Sequence, residues 1–152
     1  MIDMSVSLKC QYGLRALFEL AKREGAGLTR LTEIAEKQAI PPRFLENILN
    51  QLRQGGFVES RRGKDGGFLL MRPARDITVG EIVRFIEGPI HPVGCAGENP
   101  THKCPLVGRC VFMGLWLEAK SALETVYDGK TLKDLVDEDK LLTTQSANDY
   151  CI

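Results

Sequence analysis

The sequence predicts a mainly α-helical protein with one small β-hairpin, built as a winged helix-turn-helix followed by a long dimerisation helix. Three observations carry that expectation. Between Thr32 and Arg53, two apolar-striped segments are separated only by Ala39-Ile40, a link short enough to make them a helix-turn-helix. Directly behind them Phe57-Val58 opens a strand, and Phe68-Leu69-Leu70-Met71 returns after "RRGKDGG", so the two runs form a hairpin. Further on, Phe112, Leu115, Ala119, Ala122, Leu123 and Val126 recur at helical spacing with Trp116 beside them, which predicts a long amphipathic helix over about Cys110 to Tyr127.

Each element has a local reason. Ser7 is placed to cap a first helix whose Leu8, Tyr12, Leu14, Leu17, Phe18 and Ala21 face the core, and Gly25 and Gly27 end it. The second helix follows Thr32, read as its N-cap, and runs to about Gln38. Pro41-Pro42 opens the third, since proline is tolerated in a first turn. There Phe44, Leu45, Ile48, Leu49 and Leu52 form an apolar stripe, and Arg43, Glu46, Asn47, Asn50 and Arg53 take the other face. Gly55 and Gly56 supply the positive φ that a helix end favours. Pro73 blocks the return strand, and Thr78 caps a fourth helix through Val79, Ile82, Val83 and Ile86 that stops at Gly88-Pro89. Residues 89–109 show no periodicity, and a loop that long is uncommon in a compact domain unless it is functional or disordered. A short helix from Thr131 through Leu135 comes after the long one. The expected organisation is a DNA-binding domain over 1–88, a cysteine-containing loop over 89–109, a dimerisation helix and short C-terminal helix over 110–139, and a frayed polar tail over 140–152.

Composition narrows the function. With 152 residues and 43% hydrophobic content the chain can bury one domain-sized core. It has no apolar run of the roughly 18 residues a membrane span needs, and it lacks the basic-then-apolar start of a signal peptide. Formal charge is zero, yet residues 1–75 hold 13 basic and 8 acidic side chains while 76–152 hold 7 and 12. The basic half suits a polyanion such as double-stranded DNA, and the acidic half does not. Five cysteines make an odd number for a disulfide framework, so the expectation is a cytoplasmic protein with reduced thiols. No nucleophile-plus-base pair, phosphate loop or paired carboxylate site occurs, which argues against an enzyme.

Two groups of residues carry chemistry. In the first, Arg43, Glu46 and Asn47 lie on the opening turns of the third helix, the end that reaches deepest into a major groove, so they are the candidate base readers. Arg61, Arg62 and Lys64 put positive charge on the hairpin tip, and Gly66 and Gly67 there leave no side chain to obstruct a close approach. The alternative is a solvated helix face and ordinary turn chemistry. The second group is Cys95, Cys104 and Cys110, with eight and five residues between members. Thiolates suit zinc or an iron–sulfur cluster, although this spacing is not that of paired zinc knuckles, and incidental thiols are the competing reading. His91 and His102 flank the group as candidate fourth ligands or as solvated loop histidines. Cys10 belongs to the packed first helix and Cys151 to the tail.

On these residues the chain resembles the Rrf-two family of bacterial transcription regulators over about residues 7–138. The resemblance rests on "YGLRAL" at 12–17, "LTEIAEKQAIPPRFLENILNQLRQGGFVESRRGKDGGFLL" at 31–70, "DITVGEIV" at 76–83, and the cysteine loop followed by "LW" at 115–116. It implies a winged-helix domain, a long helix that crosses its partner in a homodimer bound to palindromic operator DNA, and an iron–sulfur cluster of the IscR, NsrR and RirA type. It also implies that Arg43, Glu46 and Asn47 match base-reading positions, that Arg62 matches a wing arginine that enters the minor groove, and that Cys95, Cys104 and Cys110 match the cluster thiolates. The chain departs from the family pattern in the cysteine loop, where the first gap is wider than is common in IscR- and NsrR-like members. Met113 stands where IscR-like members place a histidine ligand, and Gln11 where NsrR-type members place an aspartate. Three thiolates without an assigned fourth ligand favour a four-iron (4Fe-4S) cluster over a two-iron (2Fe-2S) one. Such a regulator would sense iron–sulfur status, oxidants or nitric oxide. The alternative is a cluster-free repressor of the CymR type, controlled by a metabolite, a partner protein or thiol oxidation.

Overall fold

The Ser7 hydroxyl accepts the Cys10 N–H at 3.1 Å, and from this cap α1 (Leu8–Lys22) runs through the middle of the protein. The computed structural model describes residues 6–97 and 104–149, without the side chains of 147–149. The second helix, α2 (Leu31–Gln38), is capped by Arg30 and not by Thr32 as its sequence suggests. Glu33 reaches back to accept the Arg30 N–H at 2.9 Å, so the first turn closes ahead of Thr32. That bond, with Arg23 beside it, holds the Glu33 carboxyl below the ordinary carboxylate range.

The turn to the next helix is tight because Ala39 takes the left-handed conformation, φ 48°, and α3 (Pro42–Gln54) starts at once with Pro42 in its first turn. At its far end the two glycines divide the work differently from the sequence expectation. Gly56 alone adopts positive φ, 75°. Gly55 ends the helix at φ −78°, and its hydrogen is needed because a Cβ there would lie 2.5 Å from the Phe85 ring. Strands β1 (Val58–Arg61) and β2 (Gly67–Leu70) then pair antiparallel, Val58 opposite Leu70 and Arg61 opposite Gly67. Thr29, just ahead of α2, exchanges two 2.8 Å backbone hydrogen bonds with Phe68, which fastens the hairpin to the helices.

A 3-10 turn, Ala74–Asp76, leads to α4 (Val79–Glu87), whose cap is the expected Thr78, accepting the Glu81 N–H at 3.1 Å. Next come α5 (Met113–Asp128) and α6 (Leu132–Asp149). The long helix thus begins at Met113 and not at Cys110, because residues 110–112 are spent on a turn closed by Met113 N–H to the Cys110 carbonyl. The larger difference is at the C-terminus. In place of a short helix and a frayed tail, α6 is continuous to Asp149, while 150–152, with Cys151, lie outside the described residues. Lys140, Leu141, Leu142 and Gln145 are good helix formers, the hydroxyls of Thr143 and Thr144 donate back to the Asp139 and Lys140 carbonyls, and no glycine or proline stops the helix.

One apolar cluster joins these elements. Leu17 of α1, Ile34 of α2, Leu45, Leu49 and Leu52 of α3, Ile77, Ile82, and Leu132 of α6 are all fully buried in it. Each buried side chain of this size stabilises the fold by about 1.5–3 kcal/mol. Leu132 and Val136 pack in that core, so the start of α6 is held by the helix-turn-helix itself. Glu19, 4% exposed, is reconciled with burial by Arg23 at 3.1 Å and Gln38 at 2.9 Å, which ties α1 to α2.

Candidate DNA interface and cysteine loop

The apolar face of α3 is spent on the core, with Leu45, Ile48, Leu49 and Leu52 all buried. Helical periodicity therefore presents the opposite side to solvent, and Arg43, Glu46, Asn47 and Asn50 are all exposed there. Arg43 is the second residue of the helix, so the candidate base readers stand on its first turns.

The hairpin lies beside them and is braced by side chains. Arg53 donates to the Ser60 hydroxyl at 3.1 Å, linking α3 to β1. Arg30 donates to the Lys64 carbonyl at 3.4 Å, linking the start of α2 to the hairpin tip. Between them opens a groove of about 490 Å³ whose lining includes Arg30, Arg61, Arg62, Lys64, Gly66 and Gly67. Arg30 adds a fourth cation that pattern reading left out of the interface. Its signal was there, a basic residue at the very start of a helix that faces the wing, but only the folded hairpin brings residue 64 to residue 30. Arg61 is paired with Glu59 at 3.3 Å, while Arg62 and Lys64 are exposed at the tip.

The tip glycines have an intramolecular reason as well. A Cβ on Gly66 would collide with the Arg61 carbonyl oxygen, and one on Gly67 would lie 2.6 Å from the Thr29 carbonyl oxygen. The space above both is filled by the protein's own backbone. Gly63, at φ 112°, has nothing within 4 Å and is the open glycine of the tip.

The three cysteines sit on the segment between α4 and α5. Cys95 occupies a 3-10 turn, Gly94–Ala96, which packs against α5. Cys104 and Cys110 bracket the turns Val107 N–H to Cys104 carbonyl and Arg109 N–H to Leu106 carbonyl. All three are free thiols and half-buried. Among the described residues, no three His, Cys, Asp or Glu side chains are gathered into a ready-made metal centre. The donor set nevertheless suits an iron–sulfur group by its chemistry, because it consists of soft, unpaired thiols on a segment that holds no α-helix or strand. His91 lies on the same segment, and His102 lies outside the described residues. Cys10 is a separate case. Burial pushes its thiol up to about 12, and the Glu87 carboxylate nearby adds to the effect.

Helix α5 links this loop to α4. Arg84 of α4 holds Asp128 through two hydrogen bonds of 2.8 and 2.6 Å, and this pairing draws the Asp128 carboxyl below the ordinary range. Gly80 makes room for that carboxylate, since a Cβ there would overlap it. The amphipathic stripe of α5 is split by this docking. Leu123 and Tyr127 turn toward α4 and pack with Cys10, Val83 and Ile90. Phe112, Leu115 and Val126 remain 57%, 54% and 63% exposed. Together with Ala119 and Ala122 they follow a three-four spacing, the repeat of a helix seam.

A family model described as "Rrf2: Iron-dependent Transcriptional regulator" matches residues 6–138. CymR of Bacillus subtilis, named an HTH-type transcriptional regulator, is 37% identical over 132 residues, covering 87% of this chain and 89% of its own. The structure of that protein, titled the global cysteine regulator, superposes with a TM-score of 0.73 at 36% identity, over 88% of this chain and 97% of its own. The structure of T. potens IscR superposes with a TM-score of 0.71 at 35% identity, over 89% and 88%. IscR of Escherichia coli O1:K1 / APEC is 30% identical over 139 residues, covering 91% of this chain and 84% of its own.

Proposed function

The chain belongs to the Rrf2 family of DNA-binding transcriptional regulators, and from that premise we propose that it is a homodimer on palindromic operator DNA that reports iron–sulfur status, oxidants or nitric oxide. Its relatives are named transcriptional regulators and not enzymes. IscR and CymR resemble this chain to similar degrees, so the choice between cluster-bearing and cluster-free control rests on the chain's own residues. The observation that carries the cluster reading is the set of three free, half-buried thiols, Cys95, Cys104 and Cys110, on the segment that joins α4 to α5.

In this reading α3 enters the major groove. Arg43 and Asn47 donate to base edges, and Glu46 accepts from a cytosine amino group, the role a carboxylate can fill where phosphates repel it. The groove between α2 and the hairpin takes the DNA backbone. Arg61, Arg62 and Lys64, with Arg30 behind them, supply the cations, while Gly66 and Gly67 keep the tip narrow. The exposed seam of α5 pairs with the same seam on a second copy, which sets the distance between two α3 helices to match half-sites about one helical turn apart. The apolar seam supports this arrangement, because isolated monomers rarely leave such a stripe in water.

Cys95, Cys104 and Cys110 would hold a 4Fe-4S cluster, which would supply an iron open to oxygen or nitric oxide. The residues that transmit its state are those that dock α5. Arg84, Asp128 and Gly80 fix α5 against α4, so ordering of residues 89–110 bears on the angle between the dimer helix and the DNA-binding core. Visible absorbance of protein purified without oxygen tests the reading. A brown protein with stoichiometric iron and sulfide that turns colourless in Cys104→Ala is the expected result. A colourless wild type that still binds its operator would move the chain to CymR-type, cluster-free control.

A further inference from the structure

Phe44 has the spacing of the apolar stripe of α3, yet the fold leaves it in water. Leu45, Ile48, Leu49 and Leu52 are buried, whereas Phe44 is 58% exposed, and no other large apolar side chain of α2 or α3 is exposed. A phenyl ring held out of the core forgoes much of the stability that burial would bring, so its place asks for a reason. Across from it stands Leu8, and between them opens a notch of about 330 Å³ where the start of α1 meets the first turns of α3. Its walls are Leu8, Tyr12, Phe44 and Ile48, and its polar members are Lys9 and Asn47.

Two features say what covers this notch. Phe44 stands three residues before Asn47, so the two side chains are neighbours on the helix surface, and the notch runs into the exposed face of Arg43, Glu46, Asn47 and Asn50. Its surroundings are also cationic, because Lys9 and Arg43 are both exposed, which suits a duplex edge better than an apolar helix. In the major groove a duplex offers one apolar group, the methyl of thymine, and a phenyl ring is among the side chains that meet it. From this placement we infer that Phe44 is a specificity-determining residue that reads a thymine methyl, next to the base edge that Asn47 reads. The inference rests on the proposed entry of α3 into the major groove and deepens it. Cytosine at that position has no methyl to set against the ring, and its amino group would face an apolar wall with no acceptor. Arg43, Glu46 and Asn47 read polar groups, and Phe44 adds the apolar part of the readout.

Uracil differs from thymine by that methyl alone, so it isolates the contact. On an operator that the full-length protein selects from random sequence, each thymine of one half-site is replaced in turn by uracil, and affinity is read by fluorescence anisotropy. The wild type should lose about three- to fivefold at one position, the value of one buried methyl group. Phe44→Ala should bind the thymine and uracil duplexes equally, and Phe44→Leu should keep part of the difference. A ring that only supports α3 would weaken both duplexes by one factor, so a wild-type ratio preserved in Phe44→Ala overturns the assignment. Iodouracil at the sensitive position, with iodine in place of the methyl, should crosslink to Phe44 on irradiation. A crosslink to Tyr12 or another residue, or none at all, overturns it too, and this measurement decides alone if Phe44→Ala fails to fold or bind. If uracil has no effect at any thymine while Glu46→Ala still relaxes sequence preference, the inference falls and α3 remains the reading helix. If Arg43→Ala, Glu46→Ala and Asn47→Ala also leave that preference unchanged, the reading of α3 fails, and this inference with it.

Discussion

Replacing Gly67 by alanine separates the wing's structural support from its charge. The added Cβ would lie 2.6, 2.8 and 3.2 Å from the carbonyl oxygen, carbonyl carbon and nitrogen of Thr29. These are backbone atoms with no rotamer to turn away, so the hairpin must lift from Thr29. Two 2.8 Å hydrogen bonds between Thr29 and Phe68 are lost with it, at about 0.5–1.5 kcal/mol each. Alanine returns roughly 0.4–1 kcal/mol by restricting the unfolded chain, which leaves a net cost of about 0–2.6 kcal/mol, centred on roughly 1 kcal/mol. For a chain of this size each kcal/mol lowers the melting temperature by roughly 2–4 °C, so circular dichroism should show a fall of a few degrees. The displaced tip carries Arg62 and Lys64 with it. Fluorescence anisotropy on an operator selected from random sequence should show weaker binding, and a plot of log affinity against log salt flattened by about 1–2 units. A Gly67→Ala protein with wild-type melting temperature and wild-type salt slope would refute the argument.

Arg62→Ala should give the complementary result. It leaves the melting temperature unchanged but weakens binding and reduces the salt slope by roughly one unit, whereas Lys133→Ala, on the acidic half and paired with Asp137, changes neither. Glu46→Ala should relax sequence preference while sparing affinity for non-specific duplex, as competition with mismatched operators would show; a uniform loss would argue against base reading. Leu115→Glu on the exposed seam of α5 should yield folded monomers by sedimentation, and an unchanged species would end the dimer proposal. Leu123→Glu should instead lower stability, since Leu123 packs against α4. At pH 8.5 a thiol-alkylating reagent should modify Cys10 only after unfolding. Its folded thiol stays protonated up to about 12, against 9.0 ordinarily, so its share of stability is intact below 9.0 and declines as pH rises toward 12. Rapid native alkylation of Cys10 would contradict its burial.

What the sequence determined by itself was everything set by neighbours along the chain. The caps at Ser7 and Thr78, the proline start of α3, the apolar stripe of α3 and the hairpin around "RRGKDGG" each follow from spacing of a few residues, and the fold returned them. The family, too, was legible, because its motifs are local and ordered. Tertiary structure decided whatever depended on residues far apart. Gly55 looked like a turn residue until Phe85, thirty positions later, took the space beside it. Gly67 looked open until Thr29 filled it, and the stripe of α5 looked continuous until α4 claimed Leu123 and left Leu115 in water. The 140s looked like a tail because their polarity hides a helix started by Leu132 and Val136 in the core shared with α1 to α4. Periodicity records which face of an element is apolar, but it cannot record which other element arrives to cover it.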